Sequence, residues 1–141
     1  MTYKDLIVWQ KAHANGIATI RALDTLRPSR STDITARQLL RAVLAIGANI
    51  AEGYGRHGGK EYERFLEIAY GSANEADNWL TVFLDTGLMQ TELARDLQAR
   101  NEEVLRILAA MLRTLREKRL RPGGSPKETE GLYKTAESVE D

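Results

Sequence analysis

The sequence predicts an all-α protein, an antiparallel up-down four-helix bundle, and three observations carry that expectation. Apolar residues recur at three- and four-residue spacing in four separate segments, glycine or proline breaks divide the segments, and no stretch alternates with the period of two that marks a strand. Four amphipathic helices with short connections bury their stripes against one another as a bundle.

In the first segment, over residues 3–26, Leu6, Trp9, His13, Ile17, Ile20 and Leu23 form one apolar stripe, ended by Arg27-Pro28-Ser29-Arg30-Ser31. Here His13 reads as a residue lining the bundle. The second helix is expected to begin at Thr35, whose spacing to Gln38 is that of a capping box, with Ile34 and Leu39 as its hydrophobic staple. Its core stripe is Leu39, Val43, Ile46, Ile50 and Gly53, and it ends in the glycines between Gly55 and Gly59.

The third helix follows Gly59 and runs to about Thr86, with Phe65, Ala69, Ser72, Ala76, Leu80 and Phe83 inward. Gly87 is a left-handed stop, with Leu88 folding back on Phe83. A second stripe, Tyr62, Leu66, Tyr70 and Ala73, lies beside the first and reads as a wide core contact or a subunit interface. The fourth helix starts after Thr91, buries Leu93, Leu97, Val104, Leu108, Met111 and Leu115, and stops before Pro122. Two regions follow: a bundle domain over 1–121, and an acidic tail over 122–141 whose composition does not repay chain ordering. Within that tail, Leu132 and Tyr133 are the residues suited to docking on a partner.

With 141 residues the chain is long enough for one cored domain. It has no cysteine, which removes disulfides and thiolate chemistry and suits a reducing cytoplasm. No apolar run approaches the ~20 residues that span a bilayer, and the amino terminus lacks a signal-peptide layout, so a cytoplasmic protein without a membrane partner is expected. The zero net charge hides an asymmetry, because residues 1–121 hold 18 basic against 15 acidic residues and residues 122–141 hold 2 against 5.

Catalytic readings fail on spacing. Gly53-Tyr54-Gly55-Arg56-His57-Gly58 fits a dinucleotide fingerprint, but that motif works only after a buried strand, and here a helix precedes it. The same glycines miss a phosphate-binding lysine loop, since Gly59 stands where lysine belongs and Glu61 follows Lys60. Only His13 and His57 are present, and neither has the Glu-x-x-His partner of a bundle metal site. Glu61 and Glu63, or Glu102 and Glu103, read as surface carboxylates that do not converge, and Glu52 with Arg56 reads as a helix-end ion pair. No cofactor, metal or enzyme activity is expected.

The basic residues are the candidates for binding. Residues 104–121 hold Arg106, Arg113, Arg116, Lys118, Arg119 and Arg121 against Glu117 alone. A second cluster is Arg21, Arg27, Arg30, Arg37 and Arg41, and a third places Arg56, His57 and Lys60 around the glycine loop. Arginine outnumbers lysine 14 to 6, and its planar fork suits phosphate. Cations at a helix carboxyl end also answer the helix dipole without any ligand.

The block Asn49-Ile50-Ala51-Glu52-Gly53-Tyr54-Gly55-Arg56, followed by Lys60-Glu61-Tyr62 and Ala69-Tyr70-Gly71-Ser72, resembles the signature of one family. It is that of the four-helix-bundle proteins encoded in 23S ribosomal-RNA intervening sequences, together with the accessory variability proteins of diversity-generating retroelements. The resemblance runs from about Asp5 to Met111 and includes Asp5-Leu6-Ile7-Val8-Trp9-Gln10-Lys11 and Gln38-Leu39-Leu40-Arg41-Ala42. It implies a non-enzymatic homopentameric ring. It also implies binding of structured RNA, with a reverse transcriptase as partner in the retroelement relatives; the alternative is a protein acting through self-assembly or protein contacts. Within the signature, Asn49 is expected to bond across to a neighbour, Gly53 to allow close helix approach, and Gly55 to take a left-handed cap. Gly71 and Ser72 are expected to supply the complementary small surface, and Glu52 to order the loop.

Overall fold

A computed structural model describes residues 1–56 and 59–120; His57, Gly58 and the whole of 121–141 lie outside the described residues, and with them the tail and its Leu132 and Tyr133. The described residues are all helical in their regular structure, with four α-helices and no strand. A short 3₁₀ turn over Tyr3–Asp5 comes first, and its capping box joins Thr2 to Asp5. The helices are α1 (Ile7–Leu23), α2 (Arg30–Tyr54), α3 (Gly59–Thr86) and α4 (Thr91–Arg119).

The cap of α2 lies six residues before the one its Thr35-x-x-Gln38 spacing suggests. Ser29 is the cap, its Oγ accepting from the Thr32 amide, and the Thr35 hydroxyl instead donates to the Ser31 carbonyl inside the helix. The core stripe Leu39, Val43, Ile46, Ile50 and Gly53 is buried as expected. Gly53 is a point of close approach to α3, since a Cβ there would stand 2.8 Å from the Phe65 Cβ. Gly55 is right-handed (φ −64°), and among the described residues of this corner the left-handed glycine is Gly59 (φ +75°). Gly87, at φ +72°, ends α3 as expected, its amide returning to the Phe83 carbonyl.

α3 packs on both α2 and α4, so both of its apolar stripes are interior. Tyr62, Leu66 and Ala73 lie in this chain's own core beside Ala69, so the stripe is a wide core contact rather than a subunit interface, and of its four residues only Tyr70 is half-exposed. Phe65 and Ser72, expected inward, are also half-exposed.

The expected stripe of α1 is met only at its ends, where Leu6 is buried and Trp9 and Leu23 pack against the core. The helix's buried residues are Val8, Ala12, Asn15, Gly16, Thr19 and Ala22, whereas His13, Ile17 and Ile20 are exposed. The reason is close packing on α2: Gly16 lies under Leu44 and Gly47 lies under Trp9, and a large inward residue would not fit between those backbones. His13 does not line the bundle; it stacks on Trp9 at 4.7 Å between ring centroids.

The core has two apolar clusters. One holds Val8, Ala12, Ile46, Ile50, Tyr62, Leu66, Ala73 and Val104; the other holds Ala22, Leu39, Val43, Ala76, Leu80 and Leu97. The order in which a helix meets the two clusters reverses from each helix to the next.

Candidate nucleic-acid interface

Glu63 decides which of the arginines are available. It sits one turn into α3 with its side chain only 7% exposed, and it lies opposite the carboxyl end of α4. Arg116 Nε donates to Glu63 Oε1 at 3.3 Å, Arg119 Nη1 donates to Glu63 Oε2 at 2.5 Å, and Arg116 Nη2 donates to Glu67 Oε1 at 2.9 Å. Charge-assisted bonds of this kind satisfy a carboxylate that burial would otherwise penalise. The Glu67 hydrogen bond raises the Arg116 pKa above the ordinary arginine value; partial burial opposes this, and the charges of Glu67 and Glu63 add to it. Two of the expected binding residues, Arg116 and Arg119, are therefore bundle clamps. Glu63 is not the surface carboxylate its neighbours in sequence suggest.

Arg56 is likewise engaged. It pairs with Glu52 at 2.8 Å, as expected, and its guanidinium lies 5.8 Å from the centre of the Phe65 ring, whose surroundings also include Arg64 at 5.0 Å. Lys60, exposed on the first turn of α3, borders a shallow depression with Glu63, Arg64, Glu67 and Arg119.

Arg106, Arg113 and Lys118 form no ion pair among the described residues. Arg106 and Arg113 are seven residues apart, two helical turns, and share the outward face of α4, while Lys118 is rotated well away from them. Arg113 borders an open groove of about 610 Å³ between α3 and α4, with Tyr70, Ala109, Leu112 and Leu120 as its apolar part and Glu67, Arg116 and Glu117 beside them. In the second basic cluster, Arg37 pairs with Asp33 and Arg41 with Glu75, leaving Arg21, Arg27 and Arg30 exposed at the α1–α2 turn. His57 and Arg121 lie outside the described residues.

The signature residues divide between packing and surface. Asn49 Nδ2 donates to the Ala45 carbonyl of its own helix rather than to a neighbour. Gly53 meets Tyr62 and Phe65, not Gly71, which is exposed with open space around it; Ser72 is half-buried. Among the described residues no three His, Cys, Asp or Glu side chains are grouped to hold a metal, and no helix is long and apolar enough to cross a membrane.

A different surface stands out, which includes Ile17 and Ile20 of the stripe that periodicity assigned to the core. Ile17 and Ile20 are each 37% exposed and Leu44 48%. They continue a groove of about 290 Å³ between α1 and α2, bordered by Trp9, His13, Gly16, Gly47, Ala48 and Ala51. The signal that points here in the sequence is the small-residue row Ala12, Gly16 and Gly47, which marks where two backbones meet and so which face of α1 turns inward.

This helical architecture and signature define the class. Residues 4–110 match the family model of the 23S rRNA-intervening sequence proteins, and the chain belongs to that family. It is similar in fold to a protein of unknown function from the S23 ribosomal protein family of Bacteroides thetaiotaomicron VPI-5482. The two are 23% identical, with a TM-score of 0.71 over 77% of this chain and 100% of the other. No curated protein matches the chain.

Proposed function

We propose that this protein is a non-enzymatic cytoplasmic scaffold, an up-down bundle that self-assembles and presents arginines to the phosphates of structured RNA. The reversal of cluster order along successive helices supports the up-down reading. The observation that carries the binding reading is the outward pair Arg106 and Arg113, which no acidic side chain neutralises among the described residues. A single pair binds weakly. Repeated around a homopentameric ring, the same pair supplies several phosphate contacts acting together, with affinity that needs no base readout.

Assembly through the α1–α2 face is the second half of the proposal. Ile17, Ile20 and Leu44 expose apolar surface continuous with the Trp9 groove, and a second copy of this chain covers such a face without needing another gene product. This face replaces the Tyr62, Leu66 and Ala73 stripe, which the core consumes. A reverse transcriptase is the protein partner that a retroelement setting would supply. The competing reading, self-assembly or protein contact as the whole function, is favoured by the neutralisation of Arg56, Arg116 and Arg119. Light scattering on the purified chain, with and without a structured RNA in low salt, separates the two. A multimer that gains mass with RNA supports the scaffold reading, a multimer that ignores RNA supports the competitor, and a monomer contradicts both.

A further inference from the structure

The two apolar clusters of the core part at the same level on all four helices. The boundary falls between Ala12 and Ala22 on α1, Val43 and Ile46 on α2, Ala73 and Ala76 on α3, and Leu97 and Val104 on α4. On α1 and α4 the boundary positions are polar. Asn15 is 1% exposed, Thr19 1% and Asn101 0%. Thr19 donates to the Asn15 carbonyl at 2.8 Å, and Asn101 Nδ2 donates across the bundle to the Ala73 carbonyl at 2.8 Å. Neither end of the Asn15 amide finds a protein partner, and nor does Asn101 Oδ1. Exchanging the oxygen and nitrogen of Asn15 does not change this, because both ends are without a partner.

We infer that this layer is an internal hydration site, in which an ordered water molecule bridges Asn15 of α1 and Asn101 of α4. The unmatched set is one amide donor and two carbonyl acceptors. One water accepts from Asn15 Nδ2 and donates to Asn15 Oδ1 or Asn101 Oδ1, and its second proton, or a second water, meets the other oxygen. Buried polar groups of this kind are satisfied by water with two to four polar partners, whereas a purely apolar void stays dry. At this level the buried residues of α1 are Asn15, Gly16 and Thr19, with no large apolar side chain among them, so the bridge ties α1 to α4 where α1 buries no large apolar group. It also penalises any sliding of α1 by one turn, which would bury the asparagine against an apolar cluster.

Water oxygen-17 magnetic relaxation dispersion on the full chain reads this directly, because only waters held longer than the tumbling time contribute. The expected result is a long-lived water in the wild type that is lost in Asn15→Leu and retained in Thr25→Ala, a control in the turn that follows α1. Where Asn15→Leu does not fold, a high-resolution crystal structure of the wild type decides: a water within hydrogen-bond distance of Asn15 and Asn101 supports the inference. Direct amide-to-amide contact with no water between, or a dispersion amplitude unchanged in a folded Asn15→Leu, overturns it.

Discussion

Arg119 Nη1 stands 2.5 Å from Glu63 Oε2, fastening the last turn of α4 to the first turns of α3. Arg116 closes on the other oxygen of the same carboxylate, so the pair of arginines acts on one buried acid. Glu63→Ala leaves two half-exposed arginines that water can solvate, and costs about 1–2 kcal/mol of stability. Arg116→Gln with Arg119→Gln leaves the buried carboxylate without a cation, and costs more, about 2–4 kcal/mol. Urea denaturation of the three proteins checks the order.

The same clamp has a defined pH behaviour. Arg116 has a raised pKa in the folded state, so its contribution is fully present below the unfolded arginine value and is lost only as pH rises through the still higher folded one. The destabilisation caused by Arg116→Gln is therefore the same at pH 7 and pH 10. Denaturation curves at the two values test it.

Two glycines of the signature region respond oppositely to alanine. At Gly53 the new Cβ would collide with the Phe65 Cβ, and overpacking of about 1–3 kcal/mol outweighs the roughly 1 kcal/mol returned by helix propensity. At Gly71 nothing stands within 4 Å, so Gly71→Ala raises stability by about 0.5–1 kcal/mol. Melting temperatures that fall for the first and rise for the second are expected.

Assembly is expected to fail when the α1–α2 face is charged. Ile17→Glu and Leu44→Glu change residues that are 37% and 48% exposed, so each variant still folds into the helical bundle. Their mass by light scattering falls toward that of one chain. Tyr70→Asp, on the half-exposed edge of α3, leaves the assembly intact.

Helices α2, α3 and α4 were legible because each carries a long stripe of large apolar residues and a clear stop, and the Gly59 and Gly87 corners fall where glycine punctuation puts them. α1 was not, for a physical reason. Ile17 and Ile20 point outward and the inward face is built mostly from small and polar residues, Val8, Ala12, Asn15, Gly16, Thr19 and Ala22, so hydrophobic period alone misplaces the middle of the helix. Glu63 escaped notice because nothing local distinguishes it from Glu61. Its partners Arg116 and Arg119 lie more than fifty residues away, so only the packing of α3 on α4 reveals the clamp. The candidate site was half legible: the basic end of α4 stands out in the sequence, but which arginines are spent on the fold does not.

The salt dependence of structured-RNA retention tests the scaffold proposal most directly. Arg106→Gln, Arg113→Gln and Lys118→Gln together spare the Glu63 clamp, so helix content and melting temperature stay at wild-type values. Wild type is expected to retain RNA in low salt with a steep loss as salt rises, and the triple variant to bind more weakly with a slope shallower by about one unit for each phosphate contact removed. No retention by wild type in low salt, or equal binding and equal slope in the folded variant, contradicts the account.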